Sequence, residues 1–181
     1  MRKLFLVLIV FVVGFSSCKK KQADVLANIK KNYEKINKGI RDFTKRQVDD
    51  ITSKDGGNIT GYYKDDEVKK IYVQHFGEKS RSFTEYYFDD GQLIYIIKQE
   101  FIYNKPNTYT EEKARAANDS EWYDDKKTRL EISAYYFNNN KLIKWLGPGG
   151  KDIAVNTPEF TEKEPVLIAE ALIAMKQLKE E

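Results

Sequence analysis

A repeated hairpin sequence limits the fold more than any other feature of this chain. The stretch YYFDDGQLIYII at residues 86–97 aligns without a gap on YYFNNNKLIKWL at residues 135–146, and a looser copy, YYKDDEVKKI, begins at Tyr62. In the two close copies, polar turn residues precede a position that tolerates a positive φ angle, Gly91 or Asn140. Aromatic and β-branched residues flank these turns, as they do in antiparallel strands. The pattern predicts hairpins with a type I turn closed by a bulge, within an antiparallel meander of about six strands.

Both ends of the mature chain carry helical patterns. Near the N-terminus, apolar residues recur at intervals of three and four, at Leu26, Ile29, Tyr33, Ile36, Ile40 and Phe43. Near the C-terminus, a helix start at Thr161 and Glu164 precedes a wide face of Leu167, Ala171, Leu172, Met175 and Leu178. The strand LIYII at 93–97 is apolar on both sides and is expected near the centre of the sheet. We predict one α+β domain over residues 24–181, with the N-terminal and C-terminal helices packed on one face of the sheet.

The first residues have the order of a secretory signal peptide. Arg2 and Lys3 precede an apolar run at residues 4–15, after which two small residues lead to the single cysteine, Cys18. A helix needs about 20 apolar residues to span the bilayer core, so this run is too short for a transmembrane segment. We predict a signal peptide at residues 1–17.

The residues Phe15, Ser16, Ser17 and Cys18 resemble the lipobox of bacterial lipoproteins. This resemblance implies a diacylglycerol on the thiol of Cys18 and an acyl chain such as palmitate on the new amino terminus, followed by a short tether at residues 18–23. Two or more chains anchor a protein stably in a membrane. Lys19 stands where inner-membrane lipoproteins commonly have aspartate, so the resemblance favours the outer membrane of the cell envelope. The alternatives for Cys18 are a buried thiol and half of a disulfide between chains.

The charge of the chain is balanced overall but uneven along its length. Of the 31 basic residues, two lie in the signal peptide, and the others exceed the 28 acidic residues by one. That balance gives no case for a nucleic-acid partner. Residues 19–46, next to the anchor, contain ten basic and three acidic side chains. We predict that this segment contacts anionic lipid headgroups, and the alternative is a solvated helix face rich in lysine.

Candidates for catalysis are few. His75 is the only histidine, and its alternating surroundings are typical of an ordinary strand residue. Aspartate pairs at 49–50, 65–66, 89–90 and 124–125 lie at expected turns or loop ends, where aspartate bonds to the backbone. Six acidic residues within 104–127 offer oxygen ligands but lack the spacing of an EF-hand loop. We predict no catalytic residue, metal site or cofactor; a hydrolase that uses carboxylates in an unrecognised cleft is the alternative.

Aromatic side chains are the remaining candidates for a binding site. By strand alternation, Tyr86 and Tyr135 are expected at equivalent places on the less covered face of the sheet, while Trp122 and Tyr123 lie in the long connection at 104–127. Such side chains offer a large contact area with a polar tip, which suits sugars, peptides or proteins. Alternatively, the tyrosines form cross-strand pairs that only stabilise the sheet. We predict a membrane-anchored, non-catalytic domain that binds a ligand or a protein partner through these residues.

Overall fold

The computed structural model describes residues 14–53 and 55–180, with side chains from residue 22 onward. The helices in these ranges are α1 (Gly14–Gly39), α2 (Glu111–Ala116) and α3 (Pro158–Glu180). The strands are β1 (Thr44–Asp49), β2 (Gly57–Lys64), β3 (Glu67–Phe76), β4 (Ser80–Asp89), β5 (Gln92–Ile102), β6 (Arg129–Asn138), β7 (Lys141–Leu146) and β8 (Asp152–Ile153). The predicted α+β class, with a helix at each end of an antiparallel sheet, is confirmed.

The strands form one open antiparallel sheet whose spatial order follows the chain, from β1 to β8. The sheet therefore has eight described strands, more than the six expected. The apolar pattern of the first helix runs to Phe43; α1 ends at Gly39, a 3₁₀ helix continues it over Ile40–Asp42, and β1 begins at Thr44. β1 has the polar sequence TKRQVD and β8 has only two residues, so neither strand carries the alternation that predicts a strand.

Three hairpin turns correspond to the three sequence copies. Each has two central residues, and all six have φ angles between 48° and 71°: Asp65, Asp66, Asp90, Gly91, Asn139 and Asn140. Positive φ at both central residues defines a type I′ turn, which matches the twist of the flanking strands. The expected type I turn closed by a bulge is therefore wrong. The bulges lie in the strands instead, at Tyr62/Tyr63, Tyr87/Phe88 and Tyr136/Phe137.

The two long helices lie on opposite faces of the sheet, not on one face as predicted. Tyr86 and Tyr87 are adjacent in β4 and must point to opposite sides. Tyr86 belongs to the core that contains the buried residues of α3, whereas the ring of Tyr87 lies 5.0 Å from that of Tyr33 in α1. Both tyrosines are buried, because each face has its own helical cover. We call the α3 side the inner face and the α1 side the outer face.

The main core lies between α3 and the inner face. α3 contacts β1, β2 and β3 at one side of the sheet and β7 at the other, so the sheet curves around this helix. Its contribution to the core is Phe160, Leu167, Ala171, Ala174 and Leu178. Complete burial of a leucine side chain contributes roughly 1.5–3 kcal/mol, and both leucines of this set are 1% exposed. Leu172 was expected in the same face, but it is 58% exposed because it lies on the other side of the helix.

The start of α3 also differs from the prediction. The helix begins at Pro158, and the hydroxyl of Thr157 accepts a hydrogen bond from the backbone N–H of Phe160 at 3.3 Å. Glu164, expected in a capping box with Thr161, instead accepts a hydrogen bond from the backbone N–H of Leu142 at 2.7 Å. This contact ties α3 to the start of β7.

The outer face beneath α1 is a cluster of tyrosines with a buried ion pair. The ring of Tyr33 also lies 5.4 Å from that of Tyr95, which lies 4.9 Å from that of Tyr136. Lys70 forms an ion pair with Glu85 at 3.0 Å, and its Nζ lies 5.0 Å from the ring of Tyr87. The hydroxyl of Tyr87 donates a hydrogen bond to the carboxylate of Glu85. This buried hydroxyl therefore has a partner although α1 covers it.

Replacement of Gly61 tests the packing of α3 against the sheet. A Cβ at this position would lie 2.9 Å from Cδ1 of Leu178 and 2.8 Å from Cε2 of Tyr63. Gly61→Ala should therefore lower the free energy of unfolding by about 1–3 kcal/mol, measured by urea denaturation. Gly147→Ala is the matched control, because the nearest atom to an added Cβ would be Cδ1 of Ile153 at 3.5 Å. This variant should change the free energy of unfolding by less than about 0.5 kcal/mol. Equal stability of the two variants would contradict the packing of α3 on Gly61.

Candidate functional site

Half of the outer face is not covered by α1. The helix lies over the end of the sheet nearest the hairpin turns, above Tyr87 and Tyr95. Toward the other end, alternation and register place one set of side chains on the outer face: Tyr72, Phe76, Arg81, Phe83, Phe101, Leu130 and Ile132. We call this set the aromatic face.

The aromatic face is a mainly apolar surface that solvent reaches, with Gln74 and Gln99 on either side of Phe83. The ring of Phe83 lies 6.1 Å from that of Tyr72 and 5.3 Å from that of Phe101, so three neighbouring strands contribute rings in contact. At its margins, Phe76 is 42% exposed, Leu130 46% and Ile132 42%. Single exposed apolar residues are ordinary, but a contiguous patch marks an interaction surface.

Arg81 connects this face to the long connection that follows β5. Its guanidinium carbon lies 4.9 Å from the ring centre of Phe101 and 5.9 Å from that of Tyr103. Its Nη1 also lies 3.5 Å from Oδ1 of Asp125 in the connection. Stacking of a guanidinium on aromatic rings contributes about 0.5–1 kcal/mol at exposed sites. Arg81 therefore fixes the edge of the aromatic face while its charge stays close to solvent.

The connection at 104–127 is held against the sheet by specific bonds. The side chain of Asn104 donates to the carbonyl of Trp122 at 2.9 Å and accepts from the N–H of Asp124 at 3.0 Å. The ring of Tyr123 packs edge-on against that of Tyr103 at 5.2 Å. Trp122 is 41% exposed beside it. Of the predicted loop residues, Tyr123 thus lies at the border of the aromatic face through Tyr103 and Arg81, and Trp122 is the exposed residue that precedes it.

Tyr86 and Tyr135 lie elsewhere, and their expected position on the less covered face is wrong. They are 4% and 2% exposed, on the inner face beneath α3. Burial raises the pKa of both hydroxyls, and the charge of Glu170 adds to the shift. Neutral, buried rings of this kind stabilise the core, and they offer little surface to a partner.

Beside α3, the inner face has a small polar cleft of about 160 Å³ that His75 and Asp50 line. Asp50 is buried and its carboxylate accepts hydrogen bonds from His75, from Gln177 of α3 at 3.2 Å and twice from Thr52. Burial alone would raise the pKa of Asp50, but these hydrogen bonds outweigh it and hold the pKa below its ordinary value. The group is an ionised anchor for the turn after β1.

A second cavity of about 230 Å³ shares Lys98 with this cleft and is lined by Glu100 and Glu131, which pair across β5 and β6. Among the described residues there is no group of three or more histidine, cysteine or acidic side chains placed to hold a metal ion. Four of the six acidic residues of the long connection form ion pairs with lysine or arginine: Glu111, Asp119, Glu121 and Asp125. These pairs stabilise the connection itself.

The anchor region is described only in part. The backbone of residues 14–23 belongs to α1, which runs through the predicted tether at 18–23 without a break. The side chain of Cys18 and residues 1–13 lie outside the described residues. No helix in the described part of the chain has the length and apolar character needed to cross a bilayer.

Comparisons with protein-family models, curated proteins and solved structures gave no match to this chain. The sequence did not identify Phe83, Phe101 and Arg81 as surface residues. They alternate along β4 and β5 with side chains of the inner face, so knowing which face one residue of each strand points to would have placed them on the outer face.

Asp50→Asn tests the role of the buried carboxylate. It removes a charged acceptor from four hydrogen bonds and should lower the free energy of unfolding at neutral pH by about 1–3 kcal/mol. Because the folded-state pKa lies below the unfolded-state pKa, the ionised group stabilises the fold above the unfolded pKa of about 3.9 and loses this effect as pH falls through the folded pKa. The difference in the free energy of unfolding between the wild type and the variant should thus be constant near neutral pH and become smaller in strong acid.

The matched control is Asp49→Asn, at an exposed neighbour in β1. It should change stability by less than about 0.5 kcal/mol at every pH. If Asp50→Asn did not lower the free energy of unfolding at neutral pH, or lowered it more in acid, the stabilising role of the Asp50 carboxylate would be contradicted.

Proposed function

We propose that this protein is a lipid-anchored lipoprotein of the cell envelope, and that its folded domain is a non-catalytic module that binds a protein partner through the aromatic face. The binding function is inferred from the exposed aromatic face and from the connection at 104–127, which is bonded to the sheet beside it. The lipobox-like sequence that ends at Cys18 carries the anchor.

The position of α1 supports an anchor close to the membrane. A helix rises about 1.5 Å per residue, so a lipid on Cys18 would lie only ~6 Å along α1 from Gln22, the first described side chain. Basic side chains of this region are exposed, including Lys30, Lys31, Lys35, Lys38, Arg41 and Lys45. Each can gain up to about 1 kcal/mol near anionic headgroups. A short helical connection would hold them at that surface.

The composition and ring geometry of the aromatic face favour a protein over a sugar polymer. Aromatic residues and arginine are enriched at protein interfaces, whereas lysine and acidic residues are depleted. The aromatic face contains four rings, two aliphatic side chains and Arg81. The ring of Phe83 is inclined by 48° to Tyr72 and by 60° to Phe101. Inclined rings do not present the flat, coplanar platform on which sugar rings would stack.

The alternative, a hydrolase with paired carboxylates, has less support. Such an enzyme needs one acid whose pKa is raised so that it can donate a proton. Among the described carboxyl groups whose pKa departs from its ordinary value, Asp50, Glu67 and Asp119, every shift is downward. Hydrogen bonds from neighbouring groups lower each of them. These are properties of structural carboxylates.

Site-specific photo-crosslinking in intact cells tests the binding surface. A photoreactive phenylalanine analogue at position Phe76 or Ile132 should give a product heavier than this chain by the mass of another protein. The same analogue at Val155, which is 51% exposed away from this face, is the control. Leu130→Asp should reduce the product from position Phe76 at least about fivefold, because a carboxylate would be buried in the interface.

Identical products from Val155 and Ile132, or a product of twice the mass of this chain at position Phe76, would contradict a protein partner on the aromatic face. The Leu130→Asp variant should melt at the same temperature as the wild type, since Leu130 is already 46% exposed. That measurement separates lost binding from lost folding.

Replacement of the cysteine tests the anchor. Wild-type protein should remain in the membrane fraction after a wash at high salt, which screens headgroup contacts, and should dissolve only in detergent. Cys18→Ser should lose the lipid mass and appear in the soluble fraction after the same wash. Ser17→Ala keeps a small residue before the cysteine and should behave as wild type. Retention of Cys18→Ser equal to that of the wild type would contradict lipid anchoring.

A further inference from the structure

The outward side of α3 is apolar although solvent reaches it. Val166 is 49% exposed, Leu172 58% and Ile173 48%, and Ala169 is exposed between them. Ala169 and Leu172 lie on the side of the helix away from Leu167 and the inner core, while Val166 and Ile173 flank them, and Ile173 also borders the cleft beside His75. A surface helix normally alternates an apolar stripe with a charged face, and a helix that is apolar all round is normally covered on all sides. The outward side of α3 is therefore an uncovered contact surface.

One further side chain extends this surface beyond the helix. Ile51, in the turn after β1, is 83% exposed, the most exposed large apolar residue described. Its backbone N–H donates to Oε1 of Gln177 at 3.0 Å, which fixes the turn beside the C-terminal part of α3. The turn that exposes Ile51 is thus held in place by its hydrogen bond to Gln177.

The charges on the outward side of α3 have a symmetric arrangement. Glu162 lies seven residues before Ala169, and Lys176 lies seven residues after it. Seven residues are close to two helical turns, so both charges share the outward side with Ala169. Lys176 is near Glu180 at 3.3 Å, and both side chains remain largely in solvent. The outward side therefore has Glu162 near one end, an apolar middle with a small central residue, and Lys176, beside Glu180, near the other end.

We propose that α3 packs against α3 of a second copy of this chain, antiparallel, with the twofold axis at Ala169. In this arrangement Val166 of each copy faces Leu172 of the other, and Glu162 of each copy faces Lys176 of the other. A twofold contact needs a surface that is complementary to itself, and the charge order of α3 meets this requirement. Ala169 at the crossing point lets the two helices approach closely. A parallel arrangement would place like charges opposite each other.

The apolar middle and the charged ends have different roles. Burial of Val166, Leu172 and Ile173 against the same residues of the second copy supplies the stabilisation. The exposed charge pairs at the two ends contribute less to affinity, and they fix the direction and the register of the helices. This contact uses the opposite side of the molecule from the aromatic face, so it depends on neither the proposed partner nor the proposed anchor.

Crosslinking through a thiol at the predicted axis tests the contact. In the full chain purified in detergent, Ala169→Cys should form a disulfide-linked or maleimide-linked dimer within minutes of mild oxidation or crosslinker addition. Ser120→Cys, exposed in the long connection, and the wild type, with Cys18 alone, should give at least about tenfold less dimer under the same conditions. Equal yields from Ala169→Cys and Ser120→Cys would overturn the proposal, and so would a product that joins this chain to a different protein.

A charge exchange tests the antiparallel register. Glu162→Lys or Lys176→Glu alone would place like charges together at both ends, and each should raise the dimer dissociation constant about threefold to tenfold in sedimentation at low salt. The double exchange should restore the wild-type value because it re-creates both pairs with the signs reversed. An additive loss in the double variant would overturn the register.

Leu172→Asp provides a measurement that does not depend on charge pairing. It should raise the dissociation constant at least about tenfold, while the thermal unfolding of the monomer should match that of the wild type because the side chain is already exposed. A wild type that is monomeric at every concentration tested would overturn the proposal directly.

Discussion

The strict alternation of side chains along β4 is the constraint on which the rest of this structure depends. Tyr86 and Tyr87 are neighbours and point to opposite faces, yet both are buried. An antiparallel sheet can leave one whole face in water, but this sheet has buried side chains on both faces. It therefore needs two covers, and the chain supplies one at each end, α1 outside and α3 inside.

The two covers differ in extent, and that difference creates the surfaces proposed for binding. α3 lies along the curved inner face from β1 to β7 and leaves only small polar clefts beside it. α1 protects the tyrosine cluster near the hairpin turns and leaves the remaining rings of the outer face in contact with solvent. On the inner side, the uncovered surface is the back of α3 itself. The proposed anchor, the aromatic face and the proposed α3 contact thus lie on distinct parts of the molecule.

The sequence predicted the positions of the three hairpin turns correctly because turn chemistry is local, although the predicted turn type was wrong. Asp, Asn and Gly at the centres of the three repeats tolerate positive φ, and the strand pairing follows from them. The direction of each strand residue was harder to predict, because an alternating pattern gives two sets of side chains without saying which set faces which cover. Tyr86 and Tyr135 were for that reason expected on the less covered face, whereas the rings at the solvent-exposed end are those of Tyr72, Phe83 and Phe101. The strand at 93–97, apolar on both sides, was the available sign that both faces are covered. The predicted burial of Leu172 was wrong for a related reason: residues 166–175 of α3 are apolar except for Glu170, so their pattern does not mark the buried side.

Covalent side-chain labelling of the native protein, read by mass spectrometry, tests this two-sided arrangement most directly. We expect rapid labelling of the exposed side chains Phe76, Leu130 and Ile132, and protection of the buried Tyr86, Tyr87 and Tyr135 until the protein unfolds. Labelling of Tyr86 and Tyr135 as fast as that of Phe76 would show that α3 does not cover the inner face, and would contradict the account.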